Sequence, residues 1–231
     1  MEGIRWLSTW LTPLGADNNL ATDLIEINAE APQKEALDRA AAAVMRGKIV
    51  AVPTDGLYTL VADPFNLQTV VRVFQAKGRE SVRSLPLLVD GLLMAQEYAK
   101  EETARFQILA RRYWPGPLTL IVPASEKVPL KVTGNTGRLA LRHADSTVVA
   151  GLLERVGHPL IGTSANISGT PTCRSGIEVF GTMDGRIDLV LDGGQIAGTG
   201  PTTIDITEPY WRVIREGVIT EHEIAELLKS T

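Results

Sequence analysis

Apolar and polar residues alternate along this chain with periods that change from element to element. Pro32 to Arg46 is Ala-rich and strongly helix-forming, Pro32 suits a first helical position, and Gly47 suits the C-terminal cap. Lys48 to Val52 reads as a short strand ending at Pro53, followed by Thr54, Asp55 and Gly56. Apolar residues at Leu67, Val70, Val71, Val73 and Phe74 predict an amphipathic helix over Leu67 to Ala76, which runs into Lys77, Gly78 and Arg79. Leu85 to Val89 reads as a buried strand, Leu92 to Tyr98 as a short helix, and Thr103 to Tyr113 as a helix that Trp114-Pro115-Gly116-Pro117 breaks. Further strands follow at Leu118 to Val122 and Leu139 to Leu141. Ser146 caps a helix ended by Gly157, and Leu160 begins another strand. Leu189 to Leu191, Thr202 to Ile206 and Arg212 to Ile214 read as strands, and Glu221 to Leu228 as a closing helix. Alternating helices and strands predict a single α/β domain, and several connections too short for crossover helices predict a mixed sheet. Residues 1–28 show no clean period and carry Trp6 and Trp10, so they are expected to be an extension, with the domain over 29–231.

Composition narrows the class. At 231 residues, 44% hydrophobic and 22% charged, the chain has the make-up of an ordinary soluble globular protein. A net charge of −4 argues against a generic nucleic-acid coat, though a local basic cleft remains compatible with it. The single cysteine, Cys173, excludes an intramolecular disulfide and a multi-cysteine zinc cluster. The three histidines lack metal-ligand spacing. No apolar run reaches the ~18 residues of a membrane span, and Glu2, Asp17, Asp23 and Glu26 interrupt any leader-like pattern, so a cytoplasmic protein is expected.

Four polar clusters fall at element ends: Pro53 to Tyr58, Lys77 to Arg83, Arg138 to Arg142, and Thr163 to Thr172. A strand that delivers hydroxyl and amide groups into a Gly-containing loop is how a sheet builds a ligand site. Lys77, Arg79 and Arg83 offer a point charge and planar forks suited to phosphate, against a solvated surface as the plain alternative. Arg138 and Arg142 share one face of a strand, either lining a groove or making surface salt bridges.

Several chemistries can be weighed at once. There is no GxxxxGK[ST] loop, and Gly198-Thr199-Gly200 lacks the setting of a dinucleotide fingerprint. Gly162-Thr163-Ser164-Ala165-Asn166 is close to a nucleophile elbow but ends in Asn; a serine hydrolase would pair Ser164 with His143 or His158 and Asp192. A Mg²⁺ ion carried by nucleotide phosphates needs few protein ligands and is compatible with this sequence.

Taken together, VPTDGLY (Val52 to Tyr58), KGR (Lys77 to Arg79), WPGPLTLI (Trp114 to Ile121), LALR (Leu139 to Arg142), PLIGTSANISG (Pro159 to Gly169), LDGG (Leu191 to Gly194), GPTTIDIT (Gly200 to Thr207) and IREG (Ile214 to Gly217) resemble the YrdC domain family in residues and order. The best-known members are L-threonylcarbamoyladenylate synthases. The resemblance implies a single-domain α/β fold, with a twisted mixed sheet and flanking helices around a positively charged cavity. It implies condensation of L-threonine, bicarbonate and ATP, with Mg²⁺ accompanying ATP. The product passes to a threonylcarbamoyl transferase complex acting on tRNA. By the same resemblance Lys77, Arg79, Arg83, Arg138, Ser164, Asn166, Thr172 and Arg215 fall on the ATP side, and Thr54, Arg142 and Thr202 on the threonine side. Arg142 would clamp the threonine carboxylate, and no covalent nucleophile is required. The chain departs from the family pattern at Gly56 and Thr59, where Thr and Gly are usual, and at Val89-Asp90, where many members have His. Two alternatives are a YciO-like paralogue with a different acyl substrate, and an accessory factor that binds tRNA or double-stranded RNA without catalysis.

Overall fold

β-branched and leucine-rich runs pair into one mixed sheet in the computed structural model, which describes residues 21–78 and 83–229. In chain order the elements are β1 (Asp23–Glu26), α1 (Lys34–Met45), β2 (Val50–Val52), β3 (Thr59–Ala62), α2 (Leu67–Ala76), β4 (Leu87–Leu88), α3 (Leu92–Tyr98), α4 (Ala104–Tyr113), β5 (Leu118–Pro123), β6 (Arg138–Arg142), α5 (Thr147–Val156), β7 (Leu160–Ser164), α6 (Gly176–Met183), β8 (Leu189–Asp192), β9 (Thr202–Asp205), β10 (Arg212–Arg215) and α7 (Glu221–Lys229). The strands lie in the order β1-β8-β2-β3-β7-β4-β6-β5-β9-β10. Parallel pairs (β1 with β8, β2 with β8, β4 with β6, β5 with β9) mix with antiparallel ones, as the short connections predict.

The two faces of this sheet are treated differently. One face packs Leu60, Leu87, Leu118, Leu120, Leu139, Leu141, Ile161 and Ile204 against α2, α3, α4, α6 and α7, forming the larger core. On the other face Val50, Val52, Val61, Leu160, Leu189 and Leu191 pack against α1 and α5, with Met94 of α3 at the margin. Those two helices cover the β1 side of the sheet. Toward β10 the same face carries small and polar residues instead.

Several local expectations are corrected. Helix α1 begins at Lys34, not Pro32, because the Asn28 side chain accepts from the Glu30 and Ala31 N–H groups and fixes a turn there. The Gln33 side chain reaches back to the Asn28 N–H, leaving Gln33 itself extended as the cap. Strand β4 is only Leu87–Leu88, since those two residues alone pair with both β6 and β7. Part of the expected extension, Asp23–Glu26, adds the edge strand β1 beside β8, a pairing its polar residues do not announce; Trp6 and Trp10 lie outside the described residues. Strand β3 (Thr59–Ala62), where the sequence pattern predicts no strand, is separated from the PTDG turn by two residues and pairs with β2 and β7. Helix α6 contains Gly176 and Gly181, so propensity argues against it; the Ser175 cap and buried Val179 and Met183 hold it.

At the β9 end, Asp205 is buried and receives Arg138 at 2.9 Å, Arg212 at 3.2 Å, and the Thr207 hydroxyl at 2.6 Å. Burial pushes its carboxyl upward, but the Thr207 hydroxyl and N–H, Arg212 and Arg138 outweigh burial and hold it below the usual carboxylate range.

Leu141→Ala, at a fully buried position in the larger core, is expected to cost about 2–5 kcal/mol of unfolding free energy, read as a lower urea midpoint at unchanged slope. Because Asp205 has a depressed folded pKa, its contribution is present above its unfolded pKa and is lost as the pH falls through the folded value. The stability gap between wild type and Asp205→Asn is therefore constant above about pH 5 and shrinks below about pH 4, measured by urea unfolding across pH.

Candidate active site

Where α1 and α5 leave the sheet uncovered, small floor residues open a cavity of about 480 Å³. Strand periodicity delivers that floor: Thr59 from β3, Thr119 and Ile121 from β5, Ala140 and Arg142 from β6, Gly162 and Ser164 from β7, and Thr203 from β9. Gly162 is required here, because a Cβ on it would lie 2.4 Å from Leu88 Cγ. Arg83, Arg142 and Arg215 line the cavity, and no carboxylate does so among the described residues. The volume fits a small-molecule site and the charge fits an anion. A second depression of about 390 Å³ beside β1 and α1 is lined by Asp23 and Asp188 as well as by Arg39, Arg46 and Lys48, and its Arg39 pairs with Asp23 and its Lys48 with Asp188.

The Trp114-Pro115-Gly116-Pro117 segment contributes directly to the site. Its Trp114–Pro115 bond is cis, and Gly116 sits at φ 155°, where a Cβ would lie 2.7 Å from the Tyr113 carbonyl oxygen. The Gly116 carbonyl accepts from Arg142 Nε at 3.2 Å, and Asp55 Oδ1 accepts from Arg142 Nη2. One edge of this buried guanidinium is thus held by protein, and Nη1 donates to no described residue. Arg215 Nη2 donates to the Pro201 carbonyl at 3.0 Å. Burial, and then the positive charge of Arg142, lower the Arg215 pKa below its ordinary value. The two guanidinium groups therefore share one electrostatic environment.

At the end of β7, Lys77 has a structural task. It is 3% exposed, and its Nζ donates to the Ser164 carbonyl at 2.6 Å, the Asn166 carbonyl at 3.0 Å and Asn166 Oδ1 at 3.3 Å. Ser164 Oγ donates to Asn166 Oδ1 at 2.6 Å, and Asn166 Nδ2 donates to the Ile167 and Thr170 carbonyls. Ser164 lines the cavity, whereas Lys77 and Asn166 lie behind it and hold the loop. The hydrolase arrangement is not assembled. Ser164 faces Asn166, Asp192 accepts from Tyr58 and from the Gly176 and Gly194 N–H groups, and His158 packs edge-on against Phe65. Burial lowers the His143 pKa, but no described hydrogen bond joins His143 to Ser164.

The remaining expected residues separate. Arg142, Arg215, Arg83 and Ser164 meet at the cavity. Thr202 does not line it: fully buried, it donates to the Ile219 carbonyl at 2.6 Å and accepts from the Gly217 and Ile219 N–H groups. The period of two along β9 gives the lining position to Thr203. Thr54 turns inward and donates to the Leu57 carbonyl at 2.6 Å. Thr172 is exposed and outside the cavity, and Arg138 is ion-paired with Asp205 and Glu208, the salt-bridge alternative. Arg79 lies outside the described residues. Thr119, Thr203 and the Gly116 carbonyl do not stand out in the sequence as site groups, although strand alternation at Thr119 and Thr203 carries a usable signal. The two unusual positions have physical reasons. A Cβ at Gly56 would lie 2.5 Å from the Thr199 carbonyl oxygen, so the 198–200 segment closes on it. Thr59 pairs with Ser164 across β3 and β7 and adds a hydroxyl to the floor.

Comparison with known proteins agrees with this architecture. The family Sua5_yciO_yrdC, described as telomere recombination, matches residues 42–217. A threonylcarbamoyl-AMP synthase of Pyrococcus abyssi is 36% identical over 82% of this chain and 56% of its own length. One from Vibrio cholerae is 34% identical over 79% of this chain and 98% of its own length. The chain spans a little over half the length of the Pyrococcus abyssi and Bacillus subtilis relatives. Among solved structures, P. abyssi Sua5 complexed with L-threonine superposes with a TM-score of 0.86 at 34% identity, covering 90% of this chain and 61% of that one. E. coli YciO shares the fold, with a TM-score of 0.81 at 22% identity over 88% of this chain and 99% of that one. On the extent of the family match and the agreement of the fold, this chain belongs to the Sua5/YciO/YrdC family.

Proposed function

We propose that this chain forms L-threonylcarbamoyl-adenylate from L-threonine, bicarbonate and ATP, releasing pyrophosphate, and that the product feeds a transferase acting on tRNA. The observation that carries this reading is a pair of arginines, the buried Arg142 and the more exposed Arg215, facing one cavity with no lining carboxylate among the described residues. The names of the relatives, and the related structure complexed with L-threonine, support it.

The chemistry requires two anions, a carbamate and a triphosphate, to approach each other, and a preformed cationic cavity lowers that cost. In this reading the unengaged end of Arg142 takes the threonine carboxylate as a two-pronged donor. Arg215 and Arg83 face the phosphates, and the Ser164 hydroxyl serves as a hydrogen-bonding group on the floor. Lys77 acts through the loop it holds, with its ammonium 3.5 Å from Ser164 Oγ. The described residues contain no group of three or more His, Cys, Asp or Glu able to hold a metal ion, and the lining offers no carboxylate. They do not fit a protein-bound Mg²⁺; in this reading the ion arrives coordinated by nucleotide phosphates. An RNA-holding role without chemistry calls for exposed cations along a groove; Arg83 and Arg215 are exposed at the cavity, but Arg142, 5% exposed, is set deep enough to meet only a small anion. No helix among the described residues is long and apolar enough to cross a membrane.

Pyrophosphate release in the presence of ATP and bicarbonate is expected to depend on threonine and to yield an acyl-adenylate detectable by mass spectrometry. Arg142→Ala is expected to lower kcat/KM for threonine about 30-fold or more with a smaller effect on the KM for ATP. Turnover with no amino-acid dependence, or full activity in that variant, would overturn the assignment.

A further inference from the structure

We infer that Asp55 is a positioning residue for Arg142, holding one edge of its guanidinium so that the opposite end faces the cavity. The inference rests on the reading of Arg142 as a carboxylate clamp. Asp55 Oδ1 accepts from Arg142 Nη2 while the Gly116 carbonyl accepts from Nε. These two groups occupy the Nε side of the fork, and Nη1 has no donor contact to a described residue. Asp55 itself is absent from the cavity lining, so it acts through Arg142 and touches no ligand.

Two further observations make this more than a chance ion pair. The Asp55 backbone is locked by contacts that only glycine permits: a Cβ on Gly198 would lie 2.6 Å from the Asp55 carbonyl oxygen, and a Cβ on Gly56 would lie 2.5 Å from that of Thr199. The carboxylate is therefore presented from fixed backbone. Secondly, Arg215 lies near enough for its pKa to feel Arg142, so the two cations repel. Arg215 meets a neutral carbonyl at Pro201, which among the described residues leaves Asp55 as the carboxylate in contact with the pair. Without Asp55, repulsion and the loss of a buried partner both favour Arg142 leaving its place. A carboxylate that held the whole fork would instead compete with the ligand; holding only one edge avoids this.

Asp55→Ala and Asp55→Asn in the full chain separate positioning from folding. The alanine variant is expected to raise the KM for threonine about tenfold or more, with a much smaller change in kcat and in the KM for ATP. The asparagine variant, which keeps an acceptor oxygen, is expected to recover a substantial part of that loss. A second readout needs no substrate: phenylglyoxal modification of Arg142, followed by peptide mass, is expected to be faster in Asp55→Ala than in wild type. An unchanged or lowered threonine KM in the alanine variant, or equal losses toward threonine and ATP, overturns the inference, as does an unchanged modification rate. Wild-type protein without threonine-dependent turnover would instead overturn the proposed function, leaving the phenylglyoxal comparison to decide the role of Asp55.

Discussion

Two like charges facing one cavity, the buried guanidinium of Arg142 and the more exposed one of Arg215, govern much of this molecule. A guanidinium group loses hydration on burial and is further disfavoured by a neighbouring cation, and the lowered pKa of Arg215 registers both effects. Such an arrangement persists only when surrounding groups over-determine it. Here Asp55 and the Gly116 carbonyl hold Arg142, and the Pro201 carbonyl holds Arg215. The cis Trp114–Pro115 turn, the glycine contacts at Gly56 and Gly198, and the Thr202 hydroxyl that pins Gly217 and Ile219 all bear on these three anchors.

The sheet makes room for that pair by being unequally covered. Five helices seal one face, and α1 and α5 seal only part of the other. Over the remainder the alternation of strand residues continues, but with Thr119, Ala140, Gly162, Ser164 and Thr203 where an inner face would carry leucine. Small side chains there create depth, and their hydroxyls keep the floor polar. Asp55→Ala tests the same logic from the other side, since it removes an anchor and leaves the cavity walls in place.

Cavity-lining and structural polar residues are interleaved one or two positions apart in this chain. Thr203 faces the cavity and Thr202 ties down a loop; Ser164 faces the cavity and Asn166 folds the turn beneath it. Lys77, a cation in a motif suited to phosphate, is consumed in large part by carbonyls of that turn. Several of the YrdC-like segments reach the cavity, and residues within a segment divide between lining it and supporting it.

The alternating pattern determined the α/β class, most of the helices, and the central strands other than β3, because local periodicity and caps such as Ser146 and Gly157 are written in adjacent residues. The same pattern located the polar clusters at strand ends. Strand β1, helix α6 and the length of β4 were not legible, since pairing with β8, packing of Val179 and Met183, and the reach of β6 and β7 decide them over long sequence distances. At the site, Arg142 and Ser164 were legible from side-chain chemistry. That Arg142 belongs with Asp55, that Arg138 belongs with Asp205, and that Thr203 replaces Thr202 depend on which face each strand turns to the open half of the sheet. Only the tertiary structure chooses that face, because it alone determines where the helices stop covering the strands.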